Sequence, residues 1–144
     1  MQCLSGLFTD YEEDNRCILV SAACRALGHK RLYHRIVIIM RVMRKHVLEQ
    51  RPEMQPLLDS YYVYAPQIVA AVKKSGQADI IYQDLWEHYI LPITNLVFQR
   101  NYDSAMALYV KMVYEQMIRF QMNVPQSLLK EAEDFIGNHL DANH

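Results

Sequence analysis

Apolar residues in this chain recur at three- and four-residue steps almost from end to end. No stretch of four to eight residues alternates apolar and polar between turn signals. That rhythm predicts an all-α fold. The 144 residues allow roughly two thirds of the unfolded surface to be buried, enough for one core. A hydrophobic fraction of 51% with only four Gly and five Pro argues against disorder and against a repeat array. The expectation is therefore a compact single-domain bundle of six to seven helices.

Turn signals divide the chain. A first helix should begin near Asp14 or Asn15, behind the acidic Glu12 and Glu13, and end with Gly28 as its cap. A second should run from Leu32 to Gln50, with Leu32, Ile36, Ile39, Met40, Met43 and Val47 buried and Ile38 and Val42 facing outward. Pro52 and Pro56 restart the chain into a third helix ending near Tyr64, and Pro66 opens a fourth, closed by Ser75-Gly76. Asp79 to Gln99 carries Pro92 inside its pattern and should form one kinked helix or two short ones. A long helix follows from Asn101 or Asp103 to about Met122, burying Ala105, Leu108, Tyr109, Met112, Val113 and Gln116 or Met117. Pro125 to about Leu140 is a last amphipathic helix. The layout is an N-terminal segment 1–13, a helical domain 14–122, and a C-terminal segment 123–144 packed on that domain or extending it.

Within the first helix, Cys17, Ser21, Cys24 and Gly28 fall on one stripe with almost no side-chain bulk. Close packing by a neighbouring helix is the simplest use of such a stripe; a ligand pocket lined by Cys17, Ser21, Cys24, Tyr61 and Tyr62, with Arg41 or Arg44 at its edge, is the other. Cys17 and Cys24 lie about 10.5 Å apart along a helix axis, beyond the ~7 Å reach of a disulfide. Three cysteines do not suit a secreted disulfide framework, so the cytoplasm is the expected compartment. The longest strongly apolar run, Ile36 to Met40, is far short of the ~20 residues a membrane span needs. The N-terminus lacks the basic and apolar regions of a secretory signal.

The formal net charge of −1 conceals segregation. Residues 25–51 hold eight Lys and Arg against the single acid Glu49, a balance of +7, whereas the rest of the chain carries −8. Arg35, Arg41, Arg44 and Lys45 on the second helix are the candidate partner-binding residues, and an acidic protein is the partner such a face would suit. Internal pairing with Asp59, Asp84, Glu87 or Asp103 is the alternative use. Nucleic-acid binding through the basic helix is a lesser alternative, because the pI near 6.6 and the missing readout motifs speak against it.

Catalytic signatures are missing: there is no Gly-rich phosphate loop, GxSxG elbow, HExxH or CxxC. The six histidines have no metal-ligand rhythm with the cysteines, so neither a metal nor a cofactor is expected. Asp84 and His88 stand at i and i+4 and can pair, and a Cys24 nucleophile served by His88 is the one covalent mechanism the residues allow. Tyr61, Tyr62 and Tyr64, with Tyr82, Trp86 and Tyr89, make aromatic ridges that suit a core edge better than an interface.

Several of these segments carry a resemblance. Cys17-Ile18-Leu19-Val20-Ser21-Ala22-Ala23-Cys24, followed by Leu27-Gly28, is similar to the opening motif of bacterial CFI-box domains, Cys-Phe-Ile-Thr-Thr-Ala-Val-Cys with a later Leu-Gly. Met40-Arg41-Val42-Met43-Arg44 resembles the family's Leu-Arg-x-Phe-Arg. Tyr61-Tyr62-Val63-Tyr64-Ala65-Pro66-Gln67-Ile68-Val69 resembles its Tyr-Tyr-x-x-Ala-Pro-x-Ile-Val, and Trp86 to Pro92 its Trp-x-x-Tyr-x-x-Pro. Tyr109 with Met112-Val113 completes a series spanning residues 17–115. The chain departs from the pattern at Ile18, where the family has Phe, and at Lys45, where it has Asp. The family has no established biochemical activity, so the resemblance implies a fold address without a reaction.

The functional expectation is a non-enzymatic helical protein-interaction module, an adaptor, immunity or accessory factor, able to form a homo-oligomer and offering either the basic helix Leu32 to Gln50 or the C-terminal helix to a protein partner. A small-ligand binder or cysteine-dependent enzyme beside Cys17, Ser21 and Cys24 is the alternative.

Overall fold

In a computed structural model the chain is described over residues 18–140. The expected helix start at Asp14 or Asn15, the segment 1–13, Cys17 and the last four residues lie outside these. The described residues form α1 (Ile18–Ala26), α2 (Lys30–Gln50), α3 (Gln55–Ser75), α4 (Ala78–Leu85), α5 (Leu91–Phe98), α6 (Tyr102–Arg119) and α7 (Gln126–His139), with no strand among them. A 3-10 turn (Pro52–Met54) leads into α3, and a π-helical turn (Trp86–Ile90) joins α4 to α5. The protein is an all-α, single-domain bundle.

Its axis is α6. The six residues Ala105–Val110 are all buried, so this stretch of the helix is enclosed on every side, and Met112, Val113, Gln116 and Met117 continue its buried face. Helices α2, α3, α5 and α7 and the π-turn all pack against it. Ala105 and Ala107, both fully buried, let neighbouring backbones approach closely.

The helix α1 is the second enclosed element. Leu19 to Cys24 are all buried, and α2, α3 and α4 pack around it. Neighbouring helices therefore fill the small-residue stripe at Ser21 and Cys24. Gly28 is not part of that contact surface, because a Cβ built there would meet nothing within 4 Å. Its role is conformational: φ is +75°, the Gly28 N–H donates to the Arg25 carbonyl at 3.3 Å and the His29 N–H to the Cys24 carbonyl at 2.9 Å. This is the Schellman closure, which needs a left-handed residue.

Two expectations are corrected. Pro66 does not begin a new helix, since α3 runs through it from Gln55 to Ser75. Removing the N–H at Pro66 and crowding the Tyr62 carbonyl costs about 3 kcal/mol. Continuing the apolar line Leu57, Tyr61, Ala65 into Ile68 and Val72, both fully buried, returns about 1.5–3 kcal/mol for each large side chain, so burial prevails. Leu32, expected in the core, is 39% exposed. It stands in the first turn of α2, at the edge of the arc formed by Ile36, Val37, Met40, Met43 and Val47; Ile39 is only half-buried.

Pro92 lies in a continuous rod, and the π-turn before it has a cause in the pattern. Buried pairs recur every four residues: the apolar Ile81/Tyr82, Leu85/Trp86 and Tyr89/Ile90, then Ile93 with the polar Thr94. On an α-helix a four-residue repeat drifts by about 40° per step. One wider turn, in which the Leu91 N–H reaches back to the Trp86 carbonyl, restores the pairs to the core side.

Gly28→Ala is expected to destabilise the fold by about 1 kcal/mol through its left-handed φ. Gly137→Ala, in the last turn of α7 with open space around it, is expected to stabilise by up to about 0.5 kcal/mol. Denaturant titration of both variants checks the opposite signs.

Candidate functional site

The basic helix divides its cations into two sets. On its flanks they are tied inward. Arg44, with a side chain 14% exposed, bonds Asp59 on α3 at 3.3 Å and lies with its guanidinium carbon 4.9 Å from the Tyr62 ring centre. Asp59 also accepts from Gln55 at 2.6 Å. Arg51 grips Asp103 at the start of α6 with two bonds of 3.2 and 2.9 Å. The bidentate pair holds the Asp103 carboxyl below its ordinary range, chiefly by the hydrogen bond from Arg51, and raises the Arg51 guanidinium. Of the four expected partner-binding residues, Arg35 and Lys45 are exposed and Arg41 and Arg44 half-buried.

Those two belong to an outward stripe. Arg31, Arg35, Ile38, Val42, Lys45 and Glu49 follow one another at steps of four, three, four, three and four, and all are exposed. The stripe therefore lies opposite the buried arc. Ile38 at 45% and Val42 at 39% exposure occupy its centre. The result is an aliphatic pair bracketed by cations.

Among the described residues the expected pocket is not assembled, Cys17 lying outside them. Ser21 is buried between helices, Tyr61 is buried in the core with its hydroxyl unpartnered among the described residues, and Tyr62 lies half-buried under Arg44. A cavity of about 270 Å³ does open beside Cys24, but the described residues lining it are Cys24, Arg25, Lys30, Tyr33 and His34 at the α1–α2 corner. Burial pushes the Cys24 thiol up to about 11, with Arg25 opposing, so the nucleophilic thiolate is scarce at neutral pH. His88, its proposed helper, is 67% exposed and pairs instead with Asp84, at 2.9 Å from Nδ1 to Oδ1. At that corner His34 lines the cavity, and His29 is stacked on Trp86 at 4.1 Å.

Two surface features were not anticipated. A groove of about 570 Å³ runs beside the π-turn between Asp84, Glu87, His88, Lys111 and Glu115, and Tyr89 donates a hydrogen bond to Glu115 across its wall. Asp79, Ile80, Gln83 and Asp84 on α4 and Glu87 on the π-turn, with Leu27 beside them, border a shallow groove of about 520 Å³. The exposed acids and the apolar Ile80 among them are the signal in the sequence that marks the second groove; the first depends on the π-turn. Among the described residues no group of three His, Cys, Asp or Glu is placed to hold a metal ion, and no described helix is long and apolar enough to cross a membrane.

In a Cys3→Ser/Cys17→Ser background, Cys24 is expected to alkylate only as fast as the fold opens, and a rate matching a free thiol in solution would contradict its burial. The Arg51–Asp103 pair generates a pH effect. Because the folded carboxyl titrates below its unfolded value, its contribution is present above the unfolded pKa and is lost as pH falls through the folded one. The pair is partly exposed, so the contribution should be about 0.5–1 kcal/mol, and Asp103→Asn should flatten that stretch of an acid titration of stability.

Comparison with protein-family models, curated proteins and solved structures finds no match.

Proposed function

We propose that this protein is a non-enzymatic helical interaction module, an adaptor, immunity or accessory factor, that docks an acidic protein surface against the outer face of α2. One observation carries the reading: Ile38 and Val42 stand exposed at the centre of the helix face turned away from the core, with Arg35 and Lys45 on either side. Isolated exposed aliphatics are ordinary on a protein surface. Two adjacent ones framed by like charges provide an apolar anchor and electrostatic steering at one place.

The inward pairing of Arg44 and Arg51 supports the same reading. Those two arginines brace α2 against α3 and α6 and leave the outer stripe as the available cationic surface. Nucleic acid is a poorer fit, because the stripe carries Glu49 and has aliphatic residues where a phosphate tracker would place cations. The cytoplasm is the proposed setting, where a thiol such as Cys24 stays reduced.

The cavity beside Cys24 favours one second reading, a site for a small anionic ligand met by Arg25, Lys30 and His34. The raised thiol argues against a cysteine-based reaction there.

Charge reversal at Arg35→Glu/Lys45→Glu is the test, with Arg44 left in place because it pairs with Asp59. The variant should keep the wild-type unfolding midpoint and lose co-purifying protein, most visibly at low salt. An unchanged partner set from a folded variant would remove the α2 face from consideration.

A further inference from the structure

The chain carries an acidic counterpart to its own basic face. The groove on α4 is bordered by Leu27, Asp79, Ile80, Gln83, Asp84 and Glu87. Its described lining holds three carboxylates and no cation. Ile80, 69% exposed, stands among those acids as Ile38 and Val42 stand among cations on α2. Both faces are exposed on one molecule, and α1 packs against both helices, so neither face covers the other.

The two faces also match in scale. Arg35 and Lys45 lie about 15 Å apart along α2, and Asp79 and Glu87 about 12 Å apart along the α4 rod. Flexible Arg and Lys side chains span that difference. Ile38 and Val42 would then meet Ile80 and Leu27 between two sets of opposite charges. Pairing α2 with α2 of another copy is disfavoured, because Arg31, Arg35 and Lys45 of each copy outnumber the one acid, Glu49.

We propose that the α4 groove receives the α2 face of a second copy, so that the protein associates with itself head to tail. Such a contact uses two different surfaces, and repetition closes a ring or extends a filament. The inference rests on the reading of α2 as a docking face and adds its occupant.

Sedimentation velocity of the full chain over a wide concentration range, at about 0.05 and about 0.5 M salt, provides the test. The wild type should associate with rising concentration, about tenfold more weakly at high salt. Arg35→Glu/Lys45→Glu and Asp79→Lys/Glu87→Lys should each be monomeric alone and should associate when mixed, because each supplies the complement the other lost. Ile80→Ser, which leaves every charge in place, should weaken association, with circular dichroism confirming the fold of each variant. A wild type that stays monomeric, or a mixture that fails to associate, overturns the inference. If Asp79→Lys/Glu87→Lys still captures whatever protein α2 binds while the wild type is monomeric, the docking face stands and only its proposed occupant fails. If Arg35→Glu/Lys45→Glu alters neither association nor capture, both fail.

Discussion

Enclosure of α6 on all sides is the constraint from which the rest of the structure follows. A helix buried around its whole circumference through Ala105–Val110 must be covered by several partners, and α2, α3, α5 and α7 take those places. Each partner then has one committed face and one outward face. Cys24 owes its inert environment to a second enclosure, that of α1 by α2, α3 and α4. Function is thereby pushed to the outer helix faces and to the shallow grooves between them.

Charge follows the same division. Arg44 on the flank of α2 and Arg51 at its C-terminal cap reach sideways to Asp59 and Asp103, on the helices that share the core contact, and so help fix where α2 lies. The outer stripe contributes nothing to core packing. Single exposed aliphatics such as Val63 are ordinary on such a surface. Ile38 and Val42 differ in standing together at the centre of a cationic stripe, and that pairing is what turns a solvated basic helix into a docking candidate.

Much of this was legible from residue spacing. The helical class, the buried arc of α2 around Ile36, Met40, Met43 and Val47, the outward direction of Ile38 and Val42, and the buried face of α6 all follow from a 3.6-residue period. The continuity of α3 through Pro66 was not legible, because a local rule for proline ends the helix there. Only the long-range burial of Ile68 and Val72 overrides it. The exposure of Leu32 depends on where α2's partners stop, which spacing does not encode. The π-turn was half-visible as the strict four-residue repeat from Ile81 to Thr94. Among the candidate site residues, charge alone could not separate Arg35 and Lys45 from Arg44, since the difference lies in which α2 flank faces α3. The acidic groove on α4 depends on α1 ending beside it, so that Leu27 joins residues some fifty positions later in the chain.

The central claim is that the outer face of α2 is covered by protein when the molecule works, and site-specific photocrosslinking in cells tests it most directly. A photoreactive residue at position 38 or 42 should give discrete protein adducts, including one mapping to the Leu27 and Ile80 region of a second copy. The same probe at Val63, an exposed aliphatic residue of α3 outside the stripe, should give none. Equal labelling from position 63, or no adduct from positions 38 and 42, would contradict the account.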